Sequence, residues 1–233
     1  MKDIGIRLVM LSLLFIIAGC GNELDNYEAP DGGISGQIID AETGQPVPLP
    51  VEGSSGVIVN LYELGTGATK SVDFYAKADG SYANTKVFNG QYRIVVNGPF
   101  VDICSDTVVI SGQTRLDLKC IPYSRIKATA SVSGRVVTIN YAITPTRSSD
   151  VVSDVYGIWN ISPGVDNSTA NCVGLQTVKN NTNGSFVFDL DKEKAFASNA
   201  YKIQANGNKV YFRIGAKVSG KVNYSTTMEV TVH

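Results

Sequence analysis

The chain has 233 residues, a formal net charge of −1 and a single histidine at its last position, His233. The near-neutral charge argues against nucleic acid or another polyanion as a partner. The lack of an internal histidine excludes Ser-His-Asp catalysis and most imidazole-based metal sites. Charged residues make up only 18% of the chain and glycines number 23, a composition that favours strands and turns over helices.

The amino-terminal segment has the layout of a lipoprotein signal peptide. A short charged start precedes an apolar run over residues 8–18, which is shorter than the roughly 20 residues that a membrane-spanning helix needs. Small residues then precede Cys20, the position at which such signals are cut and the thiol receives a diacylglycerol. We therefore expect a signal peptide over residues 1–19 and a membrane anchor through lipid on Cys20. The alternative is a plain secretory signal followed by a free thiol.

Residues 20–33 are polar, lack periodicity and are expected to form a flexible tether. Their acidic residues resemble the signal that directs some Bacteroidetes lipoproteins to the outer face of the outer membrane. The resemblance implies a lipid-anchored outer-membrane protein that faces the cell exterior, with a merely solvated tether as the alternative.

Residues 34–121 show about seven short strand patterns separated by turn signals, which predicts a β-sandwich. The last two strands, over residues 106–110 and 115–119, are predicted to form a hairpin around Gly112. That hairpin would place Cys104 and Cys120 opposite each other, at a separation that suits a disulfide. A Cys104–Cys120 disulfide is therefore predicted, with two buried free thiols as the alternative.

Three motifs in this half resemble the carboxypeptidase-regulatory, transthyretin-like domain. They are an opening Ile34-Ser-Gly-Gln-Ile-Ile-Asp-Ala-Glu-Thr-Gly-Gln-Pro46, a turn Asp79-Gly-Ser-Tyr82 and a strand Asn89-Gly-Gln-Tyr-Arg-Ile94. The resemblance implies a transthyretin-like fold and an accessory or spacer role rather than a particular activity.

After a joint at residues 121–123, a second set of strand patterns fills residues 122–233. A hairpin is predicted around Ser133-Gly134-Arg135, a long polar region over residues 163–183, one or two helical turns over 191–199, and a closing hairpin across residues 219–221. Tyr156-Gly-Ile-Trp159 and Val210-Tyr-Phe-Arg-Ile-Gly-Ala216 resemble strands of fibronectin-III or immunoglobulin-like repeats. The predicted fold is thus all-β, with two β-sandwich domains in tandem, transthyretin-like and then immunoglobulin- or fibronectin-III-like.

Taken together, the lipid-attachment motif, the lead into the first domain and the joint Cys120-Ile-Pro-Tyr-Ser-Arg-Ile126 resemble a family of two-domain Bacteroidetes lipoproteins of unknown activity. Such proteins are often encoded beside starch-utilisation-type outer-membrane transporters. The resemblance implies a role in capturing polysaccharide, with a transporter complex as a partner.

An enzyme is not expected, and neither a metal ion nor another cofactor is predicted. Carboxylate pairs such as Asp189 and Asp191 could in principle hydrolyse a glycoside, but solvated carboxylates share strand faces just as often. Glycan binding would use aromatic rings, and Trp159 and Tyr156 are the candidates. The alternative for Trp159 is a place in the core, because a tryptophan on this strand of immunoglobulin-like folds commonly packs inside. Tyr156 would then lie on the opposite, more exposed face.

The predicted function is that of a lipid-anchored cell-surface accessory protein of a polysaccharide-uptake system, which binds glycan or a partner of the transporter. The alternative is a structural spacer or adhesion component without a small-molecule site. An exposed aromatic patch would favour the first hypothesis, and a bare polar surface would favour the second.

Overall fold

A computed structural model describes residues 28–53 and 56–233, so the predicted signal peptide and the lipid-attachment residue Cys20 lie outside the described residues. The described part is built from strands, with one α-helix and one 3-10 turn. In chain order the elements are β1 Gly32–Asp40, β2 Ile58–Glu63, β3 Val72–Tyr75, β4 Ser81–Val87, β5 Gly90–Asn97, β6 Cys104–Ile110, β7 Gln113–Arg115, β8 Leu118–Cys120, β9 Ser124–Ser133, β10 Val136–Pro145, β11 Val152–Asn160, β12 Gly174–Lys179, β13 Asn183–Asp189, the 3-10 turn Leu190–Lys192, α1 Lys194–Ala205, β14 Lys209–Val218, β15 Lys221–Tyr224 and β16 Met228–Thr231.

Two sheets form the first sandwich. One has the order β4-β1-β7, with β8 also paired to β1, and the other has the order β3-β2-β5-β6. Strands β2 and β5 alternate apolar and polar residues, so Val59 and Leu61 on β2 and Ile94 and Val96 on β5 point into one core, where each is at most 3% exposed. The polar alternates therefore lie on the outer side of that sheet.

The hairpin predicted around Gly112 is wrong. Strand β6 pairs with β5 in one sheet, whereas β7 and β8 run parallel to β1 in the other. The turn at Gly112, whose φ is 60°, thus carries the chain from one sheet to the next instead of folding it back onto β6. Cys104 and Cys120 form a disulfide across the gap between the two sheets, with their Cα atoms 5.3 Å apart.

The second sandwich packs the sheet β13-β10-β9 against the sheet β12-β11-β14-β15, in which β16 also pairs with β14. The hairpin predicted around Gly134 is present: Ser133 on β9 is paired with Val136 on β10. Helix α1 begins later and runs longer than predicted, and it buries Phe196 and Ile203 against one end of the sandwich.

Strands β11 and β14 are buried on both faces, which their sequences do not show by simple alternation. Their outer face carries a second apolar cluster of Ile158, Val165, Tyr211 and Tyr224. Residues 163–173, which belong to the predicted polar region, fold over this face, and Val165 and Asp166 are completely buried there. The predicted polar region, residues 163–183, also contains the edge strand β12.

The two sandwiches meet in one compact unit that spans residues 31–233. Arg125 on β9 pairs with Asp40 at the end of β1. The Asn223 side chain donates to the Pro99 carbonyl at 3.1 Å, and the Val51 amide donates to Asp166 Oδ2 at 3.0 Å. The predicted all-β fold with tandem sandwiches is confirmed.

Among the described residues, no helix has both the length and the apolar character needed to cross a membrane.

Candidate functional site

Trp159 cannot stack on a sugar in this structure, because its side chain is 0% exposed. Its ring lies 6.3 Å from the ring of Phe196, centroid to centroid, within the core of the second sandwich. Its strand partner is Gly174, where an added Cβ would lie only 2.0 Å from the indole Nε1. The core alternative therefore describes Trp159, and its assignment to a glycan site is wrong.

Tyr156 lies on the opposite face of β11, as predicted, but it is half-buried there. Its ring packs over Gly215, beside the ring of Tyr224, at the margin of the second apolar cluster. Burial, together with the nearby Asp154 carboxylate, raises the pKa of the Tyr156 hydroxyl. This ring offers only part of its surface to a ligand, so a role in glycan binding stays a prediction.

The candidate carboxylates form ion pairs with neighbouring basic side chains. Asp189 forms an ion pair with Lys192 at 2.6 Å, and Asp191 forms one with Arg135 at 2.9 Å. Across residues 28–53 and 56–233, no group of three or more histidine, cysteine or acidic side chains converges as metal ligands would. The arrangement that the structure does display is a surface for polar and aromatic contacts.

That surface is the outer face of the sheet β3-β2-β5-β6. We call it the polar sheet face and define it by the side chains of Asn60, Tyr62, Asp73, Tyr75, Arg93 and Asn97. It faces outward because the alternate residues of β2 and β5 fill the core. Strand pairing places Asp73 opposite Asn60 and Arg93 opposite Tyr62, so these side chains form neighbouring rows across the sheet.

A chain of hydrogen bonds runs across the middle of the polar sheet face. Asn97 Nδ2 donates to Asn60 Oδ1, and Asn60 Nδ2 donates in turn to Asp73 Oδ1 at 2.6 Å. Ser71 Oγ donates to the same carboxylate oxygen at 2.6 Å. The bonds from Ser71 and Asn60 lower the pKa of the Asp73 carboxyl below its ordinary value. The face therefore holds an ionised acceptor and fixed amides in an ordered row.

Aromatic rings flank this row on two sides. Tyr75, which is 43% exposed, lies opposite Ile58 at one end of β2, and its ring packs beside Gly56. Tyr62 lies four residues further along β2, about 14 Å away at the usual rise of a strand. The Arg93 guanidinium sits over the Tyr62 ring, with its central carbon 4.9 Å from the ring centroid.

The polar sheet face continues into a cleft between the two sandwiches. This interdomain cleft has a volume of about 370 Å³, and residues from both sandwiches line it, among them Gly56, Asn97, Asn167, Lys221 and Tyr224. The Tyr224 hydroxyl donates to Asn167 Oδ1 at 2.6 Å, which fixes both groups at the cleft wall. Asn97 belongs to both the face and the cleft, so the two form one continuous surface.

Reasoning from the sequence did not select Tyr62 or Tyr75. A usable signal was present in residues 57–62, where the core residues Val59 and Leu61 imply that Asn60 and Tyr62 point outward. Asp73 and Tyr75 can be placed on this face only when the strand that pairs with β2 is known. Their spacing in the sequence does not identify that strand.

Comparison with known proteins supports the architecture. Residues 32–121 match the family model described as "Protein of unknown function (DUF3823) N-terminal domain". None of the curated proteins is similar enough in sequence to match.

Solved structures of similar fold cover almost the whole described chain. A DUF3823 family protein from Parabacteroides merdae aligns with a TM-score of 0.71 and 22% identity, over 88% of this chain and 100% of that one. A DUF3823 family protein from Bacteroides uniformis gives a TM-score of 0.69 at 22% identity over the same shares of the two chains. A further Bacteroides uniformis protein, described as a "putative carbohydrate binding protein", gives a TM-score of 0.66 at 23% identity, over 87% of this chain and 100% of its own.

At these identities the structural matches establish the fold alone. The family model covers residues 32–121, so the similarity to the DUF3823 N-terminal domain concerns the first sandwich.

Proposed function

We propose that this protein binds glycan on the polar sheet face, as a lipid-anchored accessory of a polysaccharide-uptake system at the outer surface of the outer membrane. The observation that carries the proposal is the ordered row of Asn60, Asp73 and Asn97 between the rings of Tyr62 and Tyr75. The anchor in this proposal is lipid on Cys20, and the partner is an outer-membrane transporter complex.

The chemistry of the face matches that of a sugar chain. The C–H surfaces of a pyranose ring pack flat on an aromatic ring, as other apolar surfaces do. The hydroxyl groups of a sugar both donate and accept hydrogen bonds. The row offers the exposed Asp73 carboxylate as an acceptor and the exposed Asn97 amide as both, while the buried Asn60 amide holds the two in place. Because the amides and Asp73 already hold one another in place, a ligand loses little free energy in ordering them.

The open shape of the site favours a polymer over a small molecule. The face is part of an exposed sheet, and Tyr62 lies four residues, about 14 Å, along β2 from the strand partner of Tyr75. A chain of several sugar units can contact the exposed Tyr75 ring and the Arg93 guanidinium that covers Tyr62, and can continue into the interdomain cleft beside Asn97. A single sugar would contact only part of this surface.

The carbohydrate-binding description of one structural relative agrees with this proposal, although it belongs to that protein. The proposed function is binding without catalysis, because the polar sheet face presents binding groups without an acid and a base aligned across a scissile bond.

Affinity electrophoresis tests the proposal directly. Soluble protein that starts after Cys20 is run through native gels that contain plant, microbial or host polysaccharides. We expect at least one class to retard the protein, and we expect Tyr75→Ala to abolish most of that retardation. Phe88→Ala is the matched control, because Phe88 is an equally exposed aromatic residue, at 49%, that lies outside the polar sheet face.

Each outcome separates the alternatives. Retardation that Tyr75→Ala and Phe88→Ala reduce equally would show that the face does not carry the binding. No retardation by any polysaccharide would overturn the proposal and leave the spacer or adhesion role.

The spacer role has its own structural support in the junction between the sandwiches. The ion pair of Arg125 with Asp40 and the bond from Val51 to Asp166 hold the two sandwiches together at separate points. A component that holds a partner at a set distance from the membrane would need such a junction. Pull-down of the lipidated protein from outer membranes tests that role.

A further inference from the structure

A second cleft lies in the C-terminal sandwich, between helix α1 and the turn of the β9–β10 hairpin. Its volume is about 520 Å³, which exceeds that of the interdomain cleft. We call it the helix cleft and define it by the lining residues Arg135, Asp191, Phe196, Ala200, Gln204 and Asn208. None of its residues belongs to the polar sheet face.

The floor of the helix cleft is apolar and its rim is polar. Phe196, Leu190 and Ile203 form the floor and are almost completely buried. Ala200 on α1 is an exposed alanine whose small side chain leaves the space above this floor open. A concave apolar floor with a few convergent polar groups is the usual form of a small-ligand site.

The polar rim holds a donor and an acceptor side by side. Arg135 Nη1 donates to Asp191 Oδ1 at 2.9 Å, and its guanidinium carbon lies 5.8 Å from the centroid of the Phe196 ring. The ion pair and the ring place the half-exposed guanidinium at the rim, where its other N–H groups and the second oxygen of Asp191 can serve a ligand. Adjacent hydroxyls on a sugar ring need this combination of donor and acceptor.

Further groups of the same kind complete the rim. The amide of Gln204 lines the cleft from the last turn of α1, and Asn208 lines it just beyond the helix. The last residue, His233, also lines the cleft.

We propose that the helix cleft is a second saccharide-binding site, which takes a sugar ring or a short branch of a glycan. The ligand class rests on the proposed function, whereas the cleft itself is independent of the polar sheet face. Opposed charges and amides on the rim favour a neutral sugar over an anion. Two sites on one chain would allow bivalent capture, so a polysaccharide would bind more tightly than a fragment that fills one site.

Titration calorimetry tests the proposal with short neutral oligosaccharides prepared from whichever polysaccharide retards the protein in native gels. If none does, a fixed set of gluco-, manno-, xylo- and galacto-oligosaccharides is used. The soluble chain after Cys20 is compared with Ala200→Trp, which fills the helix cleft from an exposed helix position. The matched control is Ser198→Trp, because Ser198 is exposed on the same helix but does not line the cleft.

The expected stoichiometry is two oligosaccharides per chain, which falls to one in Ala200→Trp and stays at two in Ser198→Trp. Arg135→Gln should weaken the second site at least tenfold, whereas Arg115→Gln, at an exposed ion pair in the other sandwich, should not. Circular dichroism before each titration verifies that the variants are folded.

The outcomes distinguish this proposal from the proposed function. A single site that Tyr75→Ala removes and Ala200→Trp leaves intact would overturn the second site alone. A single site with the reverse behaviour would overturn the role of the polar sheet face and leave the helix cleft. No binding of any oligosaccharide or polysaccharide would overturn both.

Discussion

Arg125 donates hydrogen bonds to both carboxylate oxygens of Asp40. Arg125 lies on the first strand of the C-terminal sandwich, and Asp40 lies at the end of the first strand of the N-terminal sandwich. Arg125 Nε donates to Asp40 Oδ2, and Arg125 Nη2 donates to Oδ1 at 2.8 Å. The Asp40 side chain is 6% exposed and that of Arg125 is 23% exposed, so water screens the pair weakly. This bidentate contact joins residues that are 85 positions apart in the sequence.

The first prediction concerns the cost of breaking this pair. In Arg125→Ala the free energy of unfolding should fall by about 2–4 kcal/mol, because the Asp40 carboxylate then remains buried without its cation; this is slightly below the usual cost for a fully buried pair. Urea denaturation measures the change. The control Arg115→Ala removes an exposed ion pair with Asp117 and should cost less than about 1 kcal/mol. Equal losses in the two variants would contradict the prediction.

The second prediction concerns acid. Burial would raise the pKa of Asp40. Hydrogen bonds from the Arg125 guanidinium, the Glu42 backbone amide and the Thr43 hydroxyl outweigh burial and hold the pKa below its ordinary value of 3.8. A carboxyl group whose pKa is lowered by folding adds stability at pH values above 3.8, and this stability is lost as the pH falls through the folded-state pKa. The stability of the wild type should therefore drop more steeply below pH 3.8 than that of Asp40→Asn. Parallel stability curves for the two proteins would refute this.

The third prediction concerns the disulfide. Oxidised protein that starts after Cys20, alkylated in denaturant without reductant, should gain one label, at Cys172, and reduction should raise the number to three. Three labels without reductant would show that Cys104 and Cys120 are free. Closure of a loop with a sequence separation of 16 should stabilise the fold by about 3 kcal/mol, which comparison with a Cys104→Ser/Cys120→Ser variant measures.

The fourth prediction concerns the packing of Trp159 against Gly174. An added Cβ at Gly174 would lie 2.0 Å from Trp159 Nε1, so Gly174→Ala should cost about 1–3 kcal/mol of stability through overpacking. In a Trp159→Phe background the same substitution should cost clearly less, because phenylalanine lacks the five-membered ring that carries Nε1. A double-mutant cycle in urea gives the coupling. An additive cycle would mean that the two residues do not compete for space.

The fifth prediction concerns the pH dependence of glycan binding on the polar sheet face. Hydrogen bonds from Ser71 and Asn60 lower the pKa of Asp73 below 3.8, so the carboxylate stays ionised throughout mildly acidic conditions. Retardation in polysaccharide gels should thus be constant between pH 8 and about pH 5. Asp73→Asn should weaken retardation at every pH in that range. A loss of wild-type binding near pH 6 would point to a different titrating group.

Much of the fold could be predicted from local patterns. The alternation on β5 and the turn at Gly134 are encoded within a few residues, and the structure contains both. The edge strand β12 was missed because Gln176 and Thr177 are polar and the strand lies inside a polar region. The packing of β11 on both faces depends on residues 161–173, whose burial only the tertiary structure reveals.

The site was harder to predict because it depends on long-range pairing. Trp159 stood out as the only tryptophan, yet its surroundings in the core decide its role. Tyr75 and Asp73 belong to a short strand, and they join Asn60 only because β3 pairs with β2. The hairpin predicted around Gly112 failed for a related reason: the parallel partners of β7 and β8 lie some 80 residues earlier in the chain.

The position of β1 has a mechanical consequence. Tension applied to the chain ahead of Gly32 enters at the start of β1 and leaves towards the second sandwich at the end of β8, which runs parallel to β1. Strands loaded at opposite ends in this way slide past each other, so all their hydrogen bonds resist together instead of opening one by one. If the protein is held at its amino-terminal end while its second sandwich is pulled by a bound polymer in flow, the force acts between the start of β1 and the end of β8. Force applied between Gly32 and Cys120 would therefore load β1 and β8 in shear.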